Sequence, residues 1–256
     1  MLASLPLGYL ILLCVVLPSL VSAGIVALVR RVKPIEILSA NNDLAAITYP
    51  AVGLIYGVFL AFAIIIVWQR FSDAERTTYD EVTSLGALWR DANVFPADYR
   101  QVVHERLRAY VSAIETQEWP RMARGGADTA TDQAFENLWK AYYDLEPRSE
   151  PEKAFYNSSV GELNAAGRYR RARLLYSGSE MPGLLWAFLL FGAGVTVVCS
   201  YFLGTRNVWM HALMSVAITA LVGFSLVLII SLSKPFSGDI SISHQGYSDL
   251  LKSFSQ

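Results

Sequence analysis

FAIIIVWQRFSDAERTTYDE, residues 62–81, passes from hydrocarbon into closely spaced opposite charges with no glycine or proline between. Side chains are apolar up to Trp68, which suits a membrane interface, and Arg70 can hold its charge among headgroups while its stem stays in oil. Beyond Trp68, apolar residues persist at three- and four-residue steps: Phe71, Ala74, Thr78, Val82, Leu85 and Leu88/Trp89. That period predicts one helix that leaves the bilayer and runs unbroken to about Asn93.

Working outward, four apolar runs are long enough for about 30 Å of hydrocarbon, which takes roughly 20 helical residues. They cover residues 7–29, 50–68, 184–203 and 209–232. The composition agrees: 54% of the 256 residues are hydrophobic and 17% charged, a balance unlike that of soluble domains. In the first run, "SLVSAG" at 19–24 offers small residues to a signal peptidase. No basic stretch precedes it, however, and Arg30, Arg31 and Lys33 follow as a stop, so an uncleaved span is expected. Pro18 should kink this span.

Between the second and third runs lies a polar insert. Residues 69–182 hold 15 of the 21 Lys and Arg and 18 of the 22 Asp and Glu. Pro96 should turn the chain and open a helix with Val102/Val103, Leu107, Tyr110/Val111 and Ile114 on one face, ending before "EWP" at 118–120. Two more amphipathic stretches follow at 133–145 and 152–176. The fold class expected is all-α: a polytopic membrane protein with four transmembrane helices and a helical soluble insert between helices two and three. The divisions are 1–68, the first two spans and a short loop; 69–183, the insert; 184–234, the last two spans; and 235–256, a C-terminal tail.

An even number of spans puts the insert and both termini on one side. Basic residues beside the spans favour the cytoplasm for that side, although the three bases after the first span argue the reverse. The expected location is the bacterial plasma membrane, with the lipid bilayer as the first partner.

Several chemistries are excluded. The four runs contain no Asp, Glu, Lys or Arg, which argues against an ion-coupled pump. Cys14 and Cys199 lie alone in apolar runs, and His104, His211 and His244 are scattered, so no disulfide framework, metal site or cofactor is expected. No phosphate loop, nucleophile elbow or carboxylate pair supports an enzyme. Acids outnumber bases in the insert, which gives a nucleic-acid partner no electrostatic support.

The sharpest polar feature is "GRYRRARLLY" at 167–176, where Arg168/Arg171 and Arg170/Arg173 are paired at i,i+3. Three readings stand: an anchor for anionic headgroups, a funnel for anions, or ion pairs with Asp73, Glu75, Asp80 and Glu81 on the helix that leaves the second span. Gly192, Ala193, Gly194 and Thr196 favour close helix packing, and Pro235 ends the fourth span.

"GLIYGVFLAFAIIIVWQRFSDAE" (53–75), "EWP" (118–120), "LLWAFLLFGAGVTVVCSYFLG" (184–204), "HALM" (211–214) and "KPFSG" (234–238), in this order, resemble the bacterial bestrophin-like membrane proteins over nearly the whole chain. The resemblance implies an oligomer, five-fold in bestrophins proper, conducting small anions through a pore lined by the second span. Matched on Gly57 and Trp68, the positions corresponding to the bestrophin neck are Pro50, Leu54 and Val58. They lie at steps of four on one helical face, where a ring of apolar side chains can gate by dewetting. The tail holds only Asp239 and Asp249 as acids, so the family's calcium clasp is not expected. Two other functions remain open: a sensor whose insert binds a ligand, and a stator-type proton channel subunit with Thr196 and Thr219 along its path and a partner supplying the acid.

Overall fold

The computed structural model describes residues 5–32, 34–40, 42–179 and 181–255; the stop residue Lys33 lies outside them. Among the described residues every regular element is helical, and four helices are long and apolar enough to cross a membrane. The protein is an integral membrane protein. Two compact units are present: residues 1–69 with 180–234 form the membrane unit, and residues 70–179 with 235–256 form the polar unit.

In the membrane unit, α1 (Leu7–Val32) contains a wide, π-helical turn at Leu12–Val16, two residues before Pro18. Pro18 lacks the N–H that would bond the Cys14 carbonyl, and the wide turn relieves the ring's clash with it. α9 (Val208–Leu232) runs antiparallel to α1, with Leu10 and Val15 packed near Val227 and Ile230. Gly223 sits so close to the Cys14 carbonyl that a Cβ there would overlap it.

The segment 30–49, expected as a loop, is largely helical: α2 (Ile35–Ser39) is followed by α3 (Asn42–Asp91), which starts two turns before Pro50. Pro50 therefore interrupts the ladder from within the helix, which membrane helices tolerate. The Asn42 side chain fixes this start by bonding both the N–H and the carbonyl of Gly204, at 2.9 and 2.7 Å. α8 (Gly183–Ser200) lies antiparallel to α3: Tyr56 donates to the Leu189 carbonyl, and Phe59 stacks on Phe188.

α3 runs as helix through residues 67–78, so the predicted continuity holds, and it ends in a short 3-10 turn at Ala92–Val94. Its buried positions in the polar unit are Ala74, Thr78, Glu81, Ser84, Leu85 and Leu88. The spacing of three and four keeps one face inward. α4 (Ala97–Ala113) follows Pro96. The chain does not stop before Glu118: a second wide turn, Ile114–Glu118, leads into α5 (Trp119–Met122), and Pro120 again comes two residues later. As at Pro18, widening the turn lets the chain continue through a residue that cannot donate.

α6 (Thr129–Tyr143) is capped by Asp128, which accepts from the N–H groups of Ala130 and Thr131 at 3.0 Å. Ser149 caps α7 (Glu150–Gly178). Leu88, Leu107, Tyr110, Leu138, Tyr142 and Leu163 form the core. The segment after the last span, expected as a tail, contributes α10 (Gln245–Ser253), whose Tyr247 is fully buried in this unit.

Candidate functional site

The sequence pointed to two places, and each belongs to one unit. In the membrane unit, α3 turns Tyr56, Ala63 and Val67 inward, at 5%, 6% and 1% exposure. At 100° per residue, Pro50, Leu54 and Val58 fall roughly opposite that face. All three are exposed, Leu54 at 70% and Val58 at 47%. Trp68 is also exposed, whereas Arg70, in the polar unit, is tied back to Ser179 through its carbonyl and hydroxyl.

In the polar unit, the four arginines divide by their positions on α7. Arg168 and Arg171 are exposed; Arg170 and Arg173 are buried at 7% and 0%. Arg173 grips Glu81 with two bonds, Nε to Oε2 at 2.7 Å and Nη2 to Oε1 at 3.1 Å, and reaches Glu118 Oε2 at 2.9 Å. Arg170 makes the same forked contact with Glu118, at 3.3 and 2.5 Å, and touches Asp132 at 2.7 Å. The hydroxyls of Tyr110 and Tyr247 each donate to Glu81 at 2.9 Å, so its two oxygens accept four bonds. Four bonds fill a carboxylate's lone-pair sites.

Two buried guanidinium groups thus meet two buried carboxylates, which offsets much of the desolvation cost. Burial opposes the charge on Arg173, but Glu81, with Tyr247 and Glu118 adding, more than compensates and holds its pKa well above the ordinary value. Arg170 is raised in the same way, against burial, by Glu118. Burial and then Glu81 push the Tyr110 phenol well above 10. Tyr247 is likewise raised by burial, with Arg173 opposing and Glu81 adding. The cluster joins α3, α4, the second wide turn, α6, α7 and α10.

Of the four acids expected opposite the arginines, Glu81 alone enters this cluster; Asp80 pairs with the exposed Arg76 at 3.9 Å. Glu118, Tyr110 and Tyr247 were not singled out from the sequence as its members. The one signal for Glu118 was an acid directly before Trp-Pro, where a break in regular helix could turn it inward. No group of acids, His and Cys suited to a metal occurs among the described residues.

A family model described as the bestrophin-like domain matches residues 16–247. Among solved structures, a bacterial bestrophin homolog from Klebsiella pneumoniae carrying one mutation has a TM-score of 0.72 at 14% identity, covering 93% of this chain and 97% of that one. A second mutated form gives 0.74 at 13% identity, covering 94% and 99%. A structure of that homolog phased by Zn-SAD gives 0.71 at 14%, covering 93% and 96%. At such identities the likeness is one of fold. No curated protein matches the sequence.

Proposed function

The chain belongs to the bestrophin-like family, and on that premise we propose that it is a homo-oligomeric anion channel of the bacterial plasma membrane. The observation that carries this reading is the outward face of α3. Leu54 and Val58 stand exposed on the side away from Tyr56, Ala63 and Val67. In a ring of subunits, Pro50, Leu54 and Val58 of each copy line the neck, five copies by analogy with bestrophins proper. An apolar ring holds water poorly when narrow and conducts when widened. The polar unit and both ends of the chain lie in the cytoplasm in this reading, and Arg168 and Arg171 are the arginines of α7 left to face anions or headgroups.

Chloride flux from liposomes containing the purified protein tests the proposal. Wild type should discharge a chloride gradient, and Val58→Trp should reduce the flux at least about tenfold, because a bulky ring in every subunit closes an apolar constriction. Absence of wild-type flux removes the channel; flux indifferent to Val58→Trp removes the neck.

A further inference from the structure

The membrane unit contains a cavity that the neck does not use, of about 280 Å³, at the end carrying the short loops. It lies between the start of α3, the end of α8 and the start of α9, and its surface is almost wholly apolar, with Ala46, Leu203, Met214 and Ile218 in its walls. The polar groups of those walls are engaged with one another: Asn42 holds Gly204, the Ser200 carbonyl lies 2.9 Å from His211 Nε2, and Ser200 Oγ lies 3.3 Å from Ser215 Oγ. At about 30 Å³ per water-sized group, which is also the size of a methylene, the cavity holds roughly nine carbons of a chain.

Positive charge gathers at the rim. Thr205 is a wall residue, and Arg206 follows it in the chain. Arg30, in the last turn of α1, donates from Nη2 to the Arg206 carbonyl at 3.2 Å, which brings two arginines to one corner, and the exposed Arg31 is next to Arg30. Among the described residues no acid lies within ion-pair distance of any of the three; Glu36 and Asp43, the acids of the same end, are exposed and pair with none of them. Part of the Arg30 charge is withdrawn from water, with Nη1 buried and unpartnered, and an anion nearby would offset that cost through space. Trp209, 85% exposed in the first turn of α9, suits a membrane interface and puts this rim at headgroup depth.

We propose that this end of the membrane unit binds an anionic glycerophospholipid, with one acyl chain in the cavity and the phosphate beside Arg30 and Arg206. An ionised phosphate is kept at the rim, because inside the apolar cavity it would lose its water and find no donor. A free anion would leave the cavity without apolar contact, and a neutral lipid would leave the arginines unpaired. A molecule that joins a hydrocarbon chain to a negative head meets both needs at once. The proposal does not rest on channel activity.

The test is native mass spectrometry of the full chain, released from micelles that hold equal amounts of phosphatidylglycerol and phosphatidylcholine with the same acyl chains. Phosphatidylglycerol should be retained roughly tenfold more, as two arginines beside one phosphate imply. Arg206→Gln, at an exposed position, should reduce that preference, and Arg30→Gln with Arg206→Gln should abolish it. Met214→Trp, which fills the cavity and keeps every arginine, should lower the retention of both lipids severalfold. Inorganic phosphate at the concentration of the lipid should not displace it. Equal retention of the two lipids, a preference that survives the loss of both arginines, retention indifferent to Met214→Trp, or displacement by phosphate overturns the proposal. So does lipid held by the monomer and absent from the assembled oligomer, which would give the cavity to a second copy of the chain.

Discussion

Arg173 and Glu81 face each other as a forked ion pair with neither side chain exposed to solvent. Removing one partner strands the other charge in the core, so Arg173→Met should destabilise the polar unit by about 3–5 kcal/mol. The double change Glu81→Leu with Arg173→Met should recover much of that loss. Thermal melting of the full chain in micelles measures both, and a double variant worse than the sum of the singles would contradict the pairing.

The two phenols on Glu81 make stability sensitive to alkali. Both have folded pKa values raised well above 10, so in the unfolded chain they ionise first. Their contribution is complete below about pH 10 and declines as pH rises beyond it. Tyr247→Phe should cost about 1–3 kcal/mol at neutral pH, by leaving one acceptor site on Glu81 unfilled, and should flatten the alkaline decline. Denaturant unfolding at a series of pH values separates the two effects.

Two glycines of α8 should behave oppositely. A Cβ on Gly192 would overlap the ring of Tyr56, whereas one on Gly194 meets nothing within 4 Å. Gly192→Ala is expected to cost about 1–3 kcal/mol, as overpacking does, while Gly194→Ala should be nearly silent in the isolated subunit. Melting temperatures of the two variants decide this, and equal losses would speak against the α3–α8 packing.

If the neck is apolar and gates by dewetting, polar side chains there should wet it. Leu54→Asn and Val58→Asn are therefore expected to raise chloride flux severalfold over wild type in the same liposomes. Unchanged flux in both would place the barrier elsewhere.

Orientation is open to direct labelling. Gly126, in the exposed loop between α5 and α6, has ordinary space for a side chain, whereas Gly125 has φ +77° and does not suit one. With Cys14 and Cys199 replaced by Ala, Gly126→Cys should resist a membrane-impermeant maleimide in intact spheroplasts and react after lysis. Labelling of intact spheroplasts would put the polar unit outside.

How much of this was legible varies with range. The course of α3 beyond Trp68 could be read because its buried residues repeat locally, from Ala74 to Leu88, and nothing breaks the helix between. Pro50 and Pro120 misled the boundaries, since both sit inside helical stretches where their usual meaning is a stop. The division of the arginines was written in the phase of α7, but which acid each would meet depended on packing between elements far apart in sequence. Glu118 reaches the cluster from the end of a wide turn, and Tyr247 from α10, whose short polar stretch carries no signal of burial. The exposure of Leu54 and Val58 was not decidable from periodicity, because the run around them is apolar on every side.

The fourth donor to Glu81 also has a consequence in time. Tyr247 follows α8 and α9 in the chain, so a ribosome makes Glu81 and Arg173 long before the residue that completes their burial. During synthesis the carboxylate must wait, one acceptor site still wet, until both later spans have been translated. Maturation of the polar unit is thereby placed after that of the membrane segments, and a nascent chain arrested before α10 would carry a half-closed core for proteases to find.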